Sequence, residues 1–261
     1  MKLSVVIPAH NEEGSIESTL LALNSRLRQE RIDHELLVVN DNSSDRTEQI
    51  LKSLGQSMPE LRYINNQPPN GFGFAVRCGL ENFSGDAVAI YMADASDRPE
   101  DLVSYFRVME EQGVDCVFGT RWSRKSNVSG YPIFKLVLNR VVNAFIQVMF
   151  RLRYNDVTNA FKLYRRHAIV GLKPFLSHHF NLTVELPLKA IIRGYSFAVV
   201  PNDWLGRKAG ISKLKLKEMG SRYLFIILYC LIEKLFSRGD YRFKESRQVP
   251  SGHGILNGVV K

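Results

Sequence analysis

Over roughly its first half the chain alternates short, unbroken apolar runs with longer stretches whose apolar positions recur every three or four residues. "LSVVI" is followed by Ile16, Leu20, Leu23 and Leu27, "HELLVVN" by Ile50, Leu51 and Leu54, and "LRYIN" by a helical pattern from about Gly73 to Phe83. "DAVAIYM" precedes another helix at about Pro99 to Gln112, and "DCVFG" spans Asp115 to Gly119. Spacings of three and four lay one helix face on a core, whereas continuous valine- and isoleucine-rich runs suit strands buried on both sides. Their alternation predicts an α/β fold, a mostly parallel sheet with helices on both faces.

In open sheets of this kind ligands bind beyond the carboxyl ends of the strands. The residues there are polar each time: Pro8-Ala9-His10-Asn11-Glu12 after the first run, Asn40-Asp41-Asn42-Ser43-Ser44 after the second, Asp94 after the fourth and Arg121 after the fifth. Each alone could make a turn or a helix cap. Four on one edge point instead to a crevice for a polar ligand. Asp97 suits the cap of a helix starting at Arg98-Pro99, with Glu100 and Asp101 at its positive end. Asp94 has no such explanation.

Length and composition then narrow the class. With 261 residues, 45% hydrophobic and 23% charged, the chain reads as one main globular domain with an appended C-terminal part. Cys78, Cys116 and Cys230 are far apart, lack metal spacing and read as reduced core residues of a cytoplasmic protein. None of the six histidines shows ligand spacing, and His178-His179 read as surface or loop residues. The N-terminus lacks the apolar stretch of a signal peptide, and no uninterrupted apolar run reaches the roughly 18 to 20 residues of a membrane span.

The net charge of +9 arises largely in the second half, which therefore wants an acidic partner: a phosphorylated substrate, anionic lipid or nucleic acid, unless it is a merely solvated surface. "FKLVLNRVVNAFIQVMFRLR" carries Lys135, Asn139, Asn143 and Gln147 at intervals of four in an otherwise apolar setting, an amphipathic helix flanked by arginines. A second apolar run covers Tyr223 to Ile232. Both segments could pack on a core or lie in a membrane interface. Residues 1–215 read as the catalytic unit, 216–238 as an amphipathic interfacial helix and 239–261, rich in Ser, Gly and basic residues, as a disordered tail.

The ordered set "VVIPAHNEEGSI", "LLVVNDNSSDRT", "NGFGFAVRCGLENFSGD" and "YMADASDRPEDL" resembles the family 2 glycosyltransferases, with their nucleotide-diphospho-sugar (GT-A type) fold. "GTRW", "NDVTNAFKLYRR", "TVELPLKA" and "GRKAGISKLKL" resemble the branch that contains dolichyl- and polyprenyl-phosphate mannose synthases. That resemblance implies an inverting, metal-dependent transfer from a UDP- or GDP-linked sugar to a polyprenyl phosphate at the cytoplasmic membrane face. It implies no nucleic acid partner and leaves the oligomeric state open. Pro8, Ala9, Asn11, Glu12, Asn40 and Asp41 would line the donor's base and ribose, Gly71 and Gly73 its loop, and Ala93 and Asp94 its diphosphate. Asn40 replaces the first of two aspartates common in the family.

Asp94 matches the second position of the family's Asp-x-Asp, while Met92 occupies the first. Ser96 or Asp97 would then complete the ligand set for Mg2+ or Mn2+, hard cations that take one or two carboxylates plus phosphate oxygens and water. Arg121, Lys135, Asn139, Arg207, Ser212 and Lys213 fall at positions resembling the acceptor-phosphate site, Arg121 and Arg207 sharing the catalytic role with Asp94. Asp156 and Glu185 match further acidic positions of that branch, although a local partner is the competing reading for Glu185. The acceptor half offers no obvious general base and no Gln-x-x-Arg-Trp. A phosphate monoester, largely dianionic at neutral pH, needs no base, whereas a sugar hydroxyl does. Two alternatives stay open: a transferase acting on sugar hydroxyls of a surface polysaccharide, and a degenerate domain that binds without catalysing.

Overall fold

The computed structural model describes residues 1–206 and 216–243. Strands β1 (Leu3–Ala9), β2 (His34–Asn40), β3 (Leu61–Asn65), β4 (Ala87–Ile90) and β5 (Cys116–Thr120) alternate with helices α1 (Ile16–Gln29), α2 (Thr47–Ser57), α3 (Phe72–Asn82) and α4 (Pro99–Gln112), close to the predicted positions. The second half adds the two-residue strand β6 (Val128–Ser129), α5 (Ile133–Phe150), β7 (Lys162–Arg165), α6 (Arg166–Gly171), α7 (Leu182–Ile192), β8 (Phe197–Pro201), β9 (Trp204–Leu205) and α8 (Leu216–Phe236).

The main sheet runs β3-β2-β1-β4-β7-β5-β8 and is parallel except for β7, which lies antiparallel between β4 and β5. Every residue of β1 and β2 is buried, as the unbroken apolar runs require. Their side chains alternate between two cores. Val5, Ile7, Leu36 and Val38 meet α1, α2 and α4 on one face, while Val6, Leu37 and Val39 meet α3 and the helices of the second half on the other.

The two amphipathic segments sit beside one another. α8 buries Ile226, Ile227 and Cys230 and leaves Leu224, Phe225, Leu228 and Ile232 exposed. α5 leaves most of its apolar side chains exposed, Ile133 at 81% and Val148 at 79%. By length and composition alone α5 could cross a membrane, a possibility that a count of uninterrupted apolar residues misses. Its polar row faces the domain instead: Asn143 Nδ2 donates to Thr158 Oγ1 at 2.9 Å, and Asn139 Nδ2 to the same oxygen at 2.8 Å. Lys234 Nζ of α8 donates to the Phe150 carbonyl at 2.8 Å, tying the last turn of one helix to the end of the other.

α8 is fastened to the body by charge as well. Arg193, after α7, pairs with Glu233 through two bonds of 2.7 and 2.9 Å, both side chains almost fully buried, and also donates to the Gly171 carbonyl at 2.8 Å. Residues 239–243, the start of the expected tail, are described and meet the body. Phe243 donates its amide to the Arg193 carbonyl at 2.7 Å and stacks on Tyr195 at 4.6 Å, whereas 244–261 lie outside the described residues.

Removing one partner of a buried ion pair strands the other charge. Glu233→Ala should therefore cost about 3–5 kcal/mol, seen as a lower urea midpoint at unchanged slope. The double replacement Arg193→Met with Glu233→Met should recover most of it.

Candidate active site

β1 connects to a neighbour on one side and pairs with β4 on the other, so the strand order reverses between them and a crevice opens beyond their carboxyl ends. A cleft of about 940 Å3 occupies this edge. Its lining includes Pro8, Ala9, His10, Glu12, Asp41, Gly71, Phe72, Asp94, Ser96, Asp97, Arg121, Lys135, Asn139, Phe145 and Tyr223. Phe72 and Tyr223 meet through Phe180, whose ring stacks on the first and whose carbonyl accepts from the hydroxyl of the second at 3.3 Å.

The carboxylate loop is built by the chain just after β4. The Tyr91 amide donates to the Val6 carbonyl at 3.0 Å, and Ala95 takes φ 56°, a left-handed conformation unusual for alanine. That reversal lets the Ser96 amide reach Asp94 Oδ1 at 3.2 Å, while the Tyr91 hydroxyl donates to the Asp97 carbonyl. Asp94, Ser96 and Asp97 are thereby held at 5%, 2% and 5% exposure.

Asp97 does not cap α4. The cap position is Arg98, without any side-chain cap bond, and Pro99 opens the helix. Asp97 Oδ2 is buried with no hydrogen-bond partner. Burial first, and then the charge of Asp94, push the Asp97 carboxyl up to about 7, and Arg121 pulls it back only in part. A buried carboxylate oxygen without a donor, next to a second carboxylate and a hydroxyl, fits a hard divalent cation. Among the described residues no group of three or more His, Cys, Asp or Glu could hold a metal unaided, so a cation here needs a ligand's phosphates to complete its shell.

Asp41 is already at work inside the protein. Its Oδ1 accepts from Asn66 and Asn70 at 2.7 and 3.0 Å, and its Oδ2 from the Gly71 amide at 2.8 Å. It thus pins the glycine loop to the end of β2, with Gly71 at φ 138°. Gly73 lies behind the cleft wall: a Cβ there would stand 2.3 Å from the His178 carbonyl carbon, so the first turn of α3 rests directly on the 178–179 backbone. Asn40 turns away from the cleft to Asn65 at 2.8 Å, Asn11 accepts from the Ser44 amide at 2.7 Å, and Ala93 receives the Thr19 hydroxyl at 3.1 Å. These three shape the rim rather than line it.

The acceptor-side assignments change more. Arg121 is only 8% exposed and holds Asp156 in a bidentate pair of 2.9 and 2.7 Å, to which its own amide adds a third bond of 2.9 Å. The pair holds the Arg121 guanidinium above its ordinary value against the cost of burial. Asp156 is thus the structural counter-charge of Arg121. Lys162, behind it, donates to the Val157 carbonyl at 3.0 Å and is pushed down to about 7 by burial. Glu185 is remote from the cleft, accepting from the Leu176 and Ser177 amides at 2.8 and 2.7 Å and from Lys189 at 2.6 Å. Part of the basic second half is therefore internal. Arg207, Ser212 and Lys213 lie outside the described residues.

Several lining residues lack any spacing that would reveal them. His10 Nδ1 donates to the Asp41 carbonyl at 2.7 Å, and His179 lines the cleft although adjacent histidines suggested a surface loop. Phe180 stacks on Phe72 at 4.2 Å, and Tyr131 packs at 4.8 Å from Trp204.

A reversed strand order, a pinned glycine loop and a carboxylate loop match the GT-A fold of nucleotide-sugar-dependent glycosyltransferases. The chain belongs to glycosyl transferase family 2, whose model matches residues 4–171. It is 26% identical to polyprenol monophosphomannose synthase of Mycolicibacterium smegmatis over 216 residues, 80% of each chain. Over 112 residues it is 38% identical to probable glycosyltransferase YdaM of Bacillus subtilis, covering 41% of this chain and 26% of that protein. Among solved structures, glucosyl-3-phosphoglycerate synthase from Mycobacterium tuberculosis with UDP superposes with a TM-score of 0.64 at 21% identity, over 89% of this chain and 79% of that one. The same enzyme with Mn2+, UDP and glucosyl-3-phosphoglycerate gives 0.66 at 21% identity, over the same shares of 89% and 79%.

A carboxyl whose folded pKa is raised stabilises most below its unfolded value, and that contribution is lost as pH rises through the folded one. For Asp97 the window runs from 3.8 to about 7. Without metal, Asp97→Asn should melt higher than the unmodified protein at pH 8 and alike at pH 4. Adding Mn2+ with UDP should raise the melting temperature of the unmodified protein only. Arg121→Ala should destabilise at every pH near neutrality, because it leaves Asp156 buried and unpaired.

Proposed function

We propose that the chain transfers a sugar from a UDP- or GDP-linked donor to a polyprenyl phosphate, working as a peripheral enzyme on the cytoplasmic membrane face. The observation that carries this is the continuity of the cleft. The Gly71 loop, Asp94 and Asp97 line it together with Val142, Phe145, Leu224 and Ile227, which belong to the two helices with exposed apolar faces. A charged head in the polar part and an apolar tail leaving between α5 and α8 match those two halves. The mannose synthase relative supports a lipid phosphate acceptor. The phosphoglycerate enzyme among the structural neighbours favours a second reading, a small soluble acceptor, though its cleft partner would leave the apolar half unused.

In the proposed reaction the Gly71 loop and Glu12 receive the nucleotide, and Asp94, Asp97 and Ser96 would hold Mg2+ or Mn2+ against its diphosphate. The cation supplies Lewis-acid neutralisation of the leaving group. The acceptor phosphate oxygen attacks the anomeric carbon from the opposite side, the bond to the diphosphate breaks, and the configuration inverts. No side chain needs to remove a proton, since the acceptor is already an anion. Lys135 and Arg121 both line the cleft, Arg121 oriented by Asp156, and would face the acceptor phosphate.

α5 and α8 would lie along the bilayer surface with Ile133, Phe134, Phe225 and Phe236 inserted and the flanking arginines at the headgroups. The free cysteines agree with a reducing compartment.

Offered labelled UDP- and GDP-sugars with Mn2+, the purified protein should transfer to a short polyprenyl phosphate and not to phosphoglycerate or free sugars. Transfer to a soluble acceptor alone would reject the lipid reading. Phe145→Asp with Phe225→Asp should abolish sedimentation with anionic vesicles while UDP binding persists. Sedimentation unaffected by both changes would show that the membrane contact lies elsewhere.

A further inference from the structure

One wall of the cleft takes no part in the reaction described above. β9 pairs with β6, and from it the Leu205 amide donates to the Ser96 carbonyl at 3.1 Å. Trp204 therefore sits one residue from a direct bond to the carboxylate loop. Its ring lines the same cleft as Asp94 and Asp97, half-buried and tilted against Tyr131 at 58° and 4.8 Å. Tyr131 in turn faces the Arg121 guanidinium at 5.7 Å. Trp204 and Tyr131 thus stand in the wall of the cleft, Tyr131 also packed against Trp122 at 5.8 Å.

We propose that Trp204 is a specificity-determining residue, the platform on which the transferred sugar ring lies, with Tyr131 bracing it. The position agrees with the chemistry. A sugar linked to a diphosphate held at Asp94 and Asp97 would share the cleft with the wall that Leu205 fastens to Ser96. The C–H face of a pyranose is its apolar side, and an aromatic ring buries that face without competing for its hydroxyls. Positive charge that builds at the anomeric carbon as the diphosphate departs is favoured near the negative face of an aromatic ring. This assignment rests on the donor reading above and is independent of the acceptor.

The test needs no acceptor. UDP against UDP-glucose, and GDP against GDP-mannose, are titrated by calorimetry with Mn2+ into the full chain and into Trp204→Ala, Trp204→Leu and Trp204→Phe. For the pair that the unmodified protein binds, Ala and Leu should weaken the sugar nucleotide about tenfold while the parent nucleotide changes less than about twofold, and Phe should restore most of the difference. Equal weakening of nucleotide and sugar nucleotide would overturn the proposal, leaving Trp204 a brace for the carboxylate loop. Unchanged binding of both, with lost vesicle sedimentation, would overturn it in favour of an interfacial anchor. Failure of the unmodified protein to bind either nucleotide would remove the donor reading and this assignment together.

Discussion

Two carboxylates held almost out of water, Asp94 and Asp97, are the constraint on which the site depends. Placing them at the end of β4 requires the strand order to reverse next to β1, a left-handed turn at Ala95, the Tyr91 hydroxyl on the Asp97 carbonyl, and β9 fastened to Ser96. None of these contacts neutralises the pair, and burial raises the Asp97 carboxyl instead. In isolation desolvation and the like charge of Asp94 both disfavour the ionised form of Asp97. A bound divalent cation and diphosphate would resolve it, which couples donor binding to the stability of this edge.

The rest of the cleft is organised so that its own charges are already spoken for. Asp41 serves the glycine loop and Asp156 serves Arg121. Each fixes a wall in place before a ligand arrives, which lowers the cost of ordering it later. The opposite strategy holds at the outer end, where α5 and α8 leave large apolar side chains in contact with water. In the proposed function that patch would face the bilayer.

The fold was legible where the pattern was local. Unbroken apolar runs located β1 to β5, and three-four spacing located α1 to α4. What escaped was set by tertiary context. β7 is a four-residue strand inserted antiparallel, and β6 and β9 are two-residue strands that exist only because they pair with each other. The site divides in the same way. Strand ends pointed to Pro8, Glu12, Asp41, Asp94 and Arg121, all of which line the cleft, and also to Asn11 and Asn40, which are bonded elsewhere, whereas motif position alone placed Gly73 and Glu185 there, and their contacts show other roles. Asp97 looked like a cap because its neighbours are good helix starters, and only its orphaned oxygen reveals the difference. Trp204, His179 and Phe180 carry no periodic signal, since loops from distant parts of the chain bring them in.

The central claim, that the Asp94 and Asp97 loop binds a cation only together with a nucleotide diphosphate, is tested most directly by electron paramagnetic resonance of Mn2+. Free Mn2+ should keep its signal in the presence of the protein alone and lose it when UDP or GDP is added, and Asp94→Asn should leave the signal undiminished in both cases. Equal Mn2+ binding with and without nucleotide, or full nucleotide-dependent binding by Asp94→Asn, would contradict it.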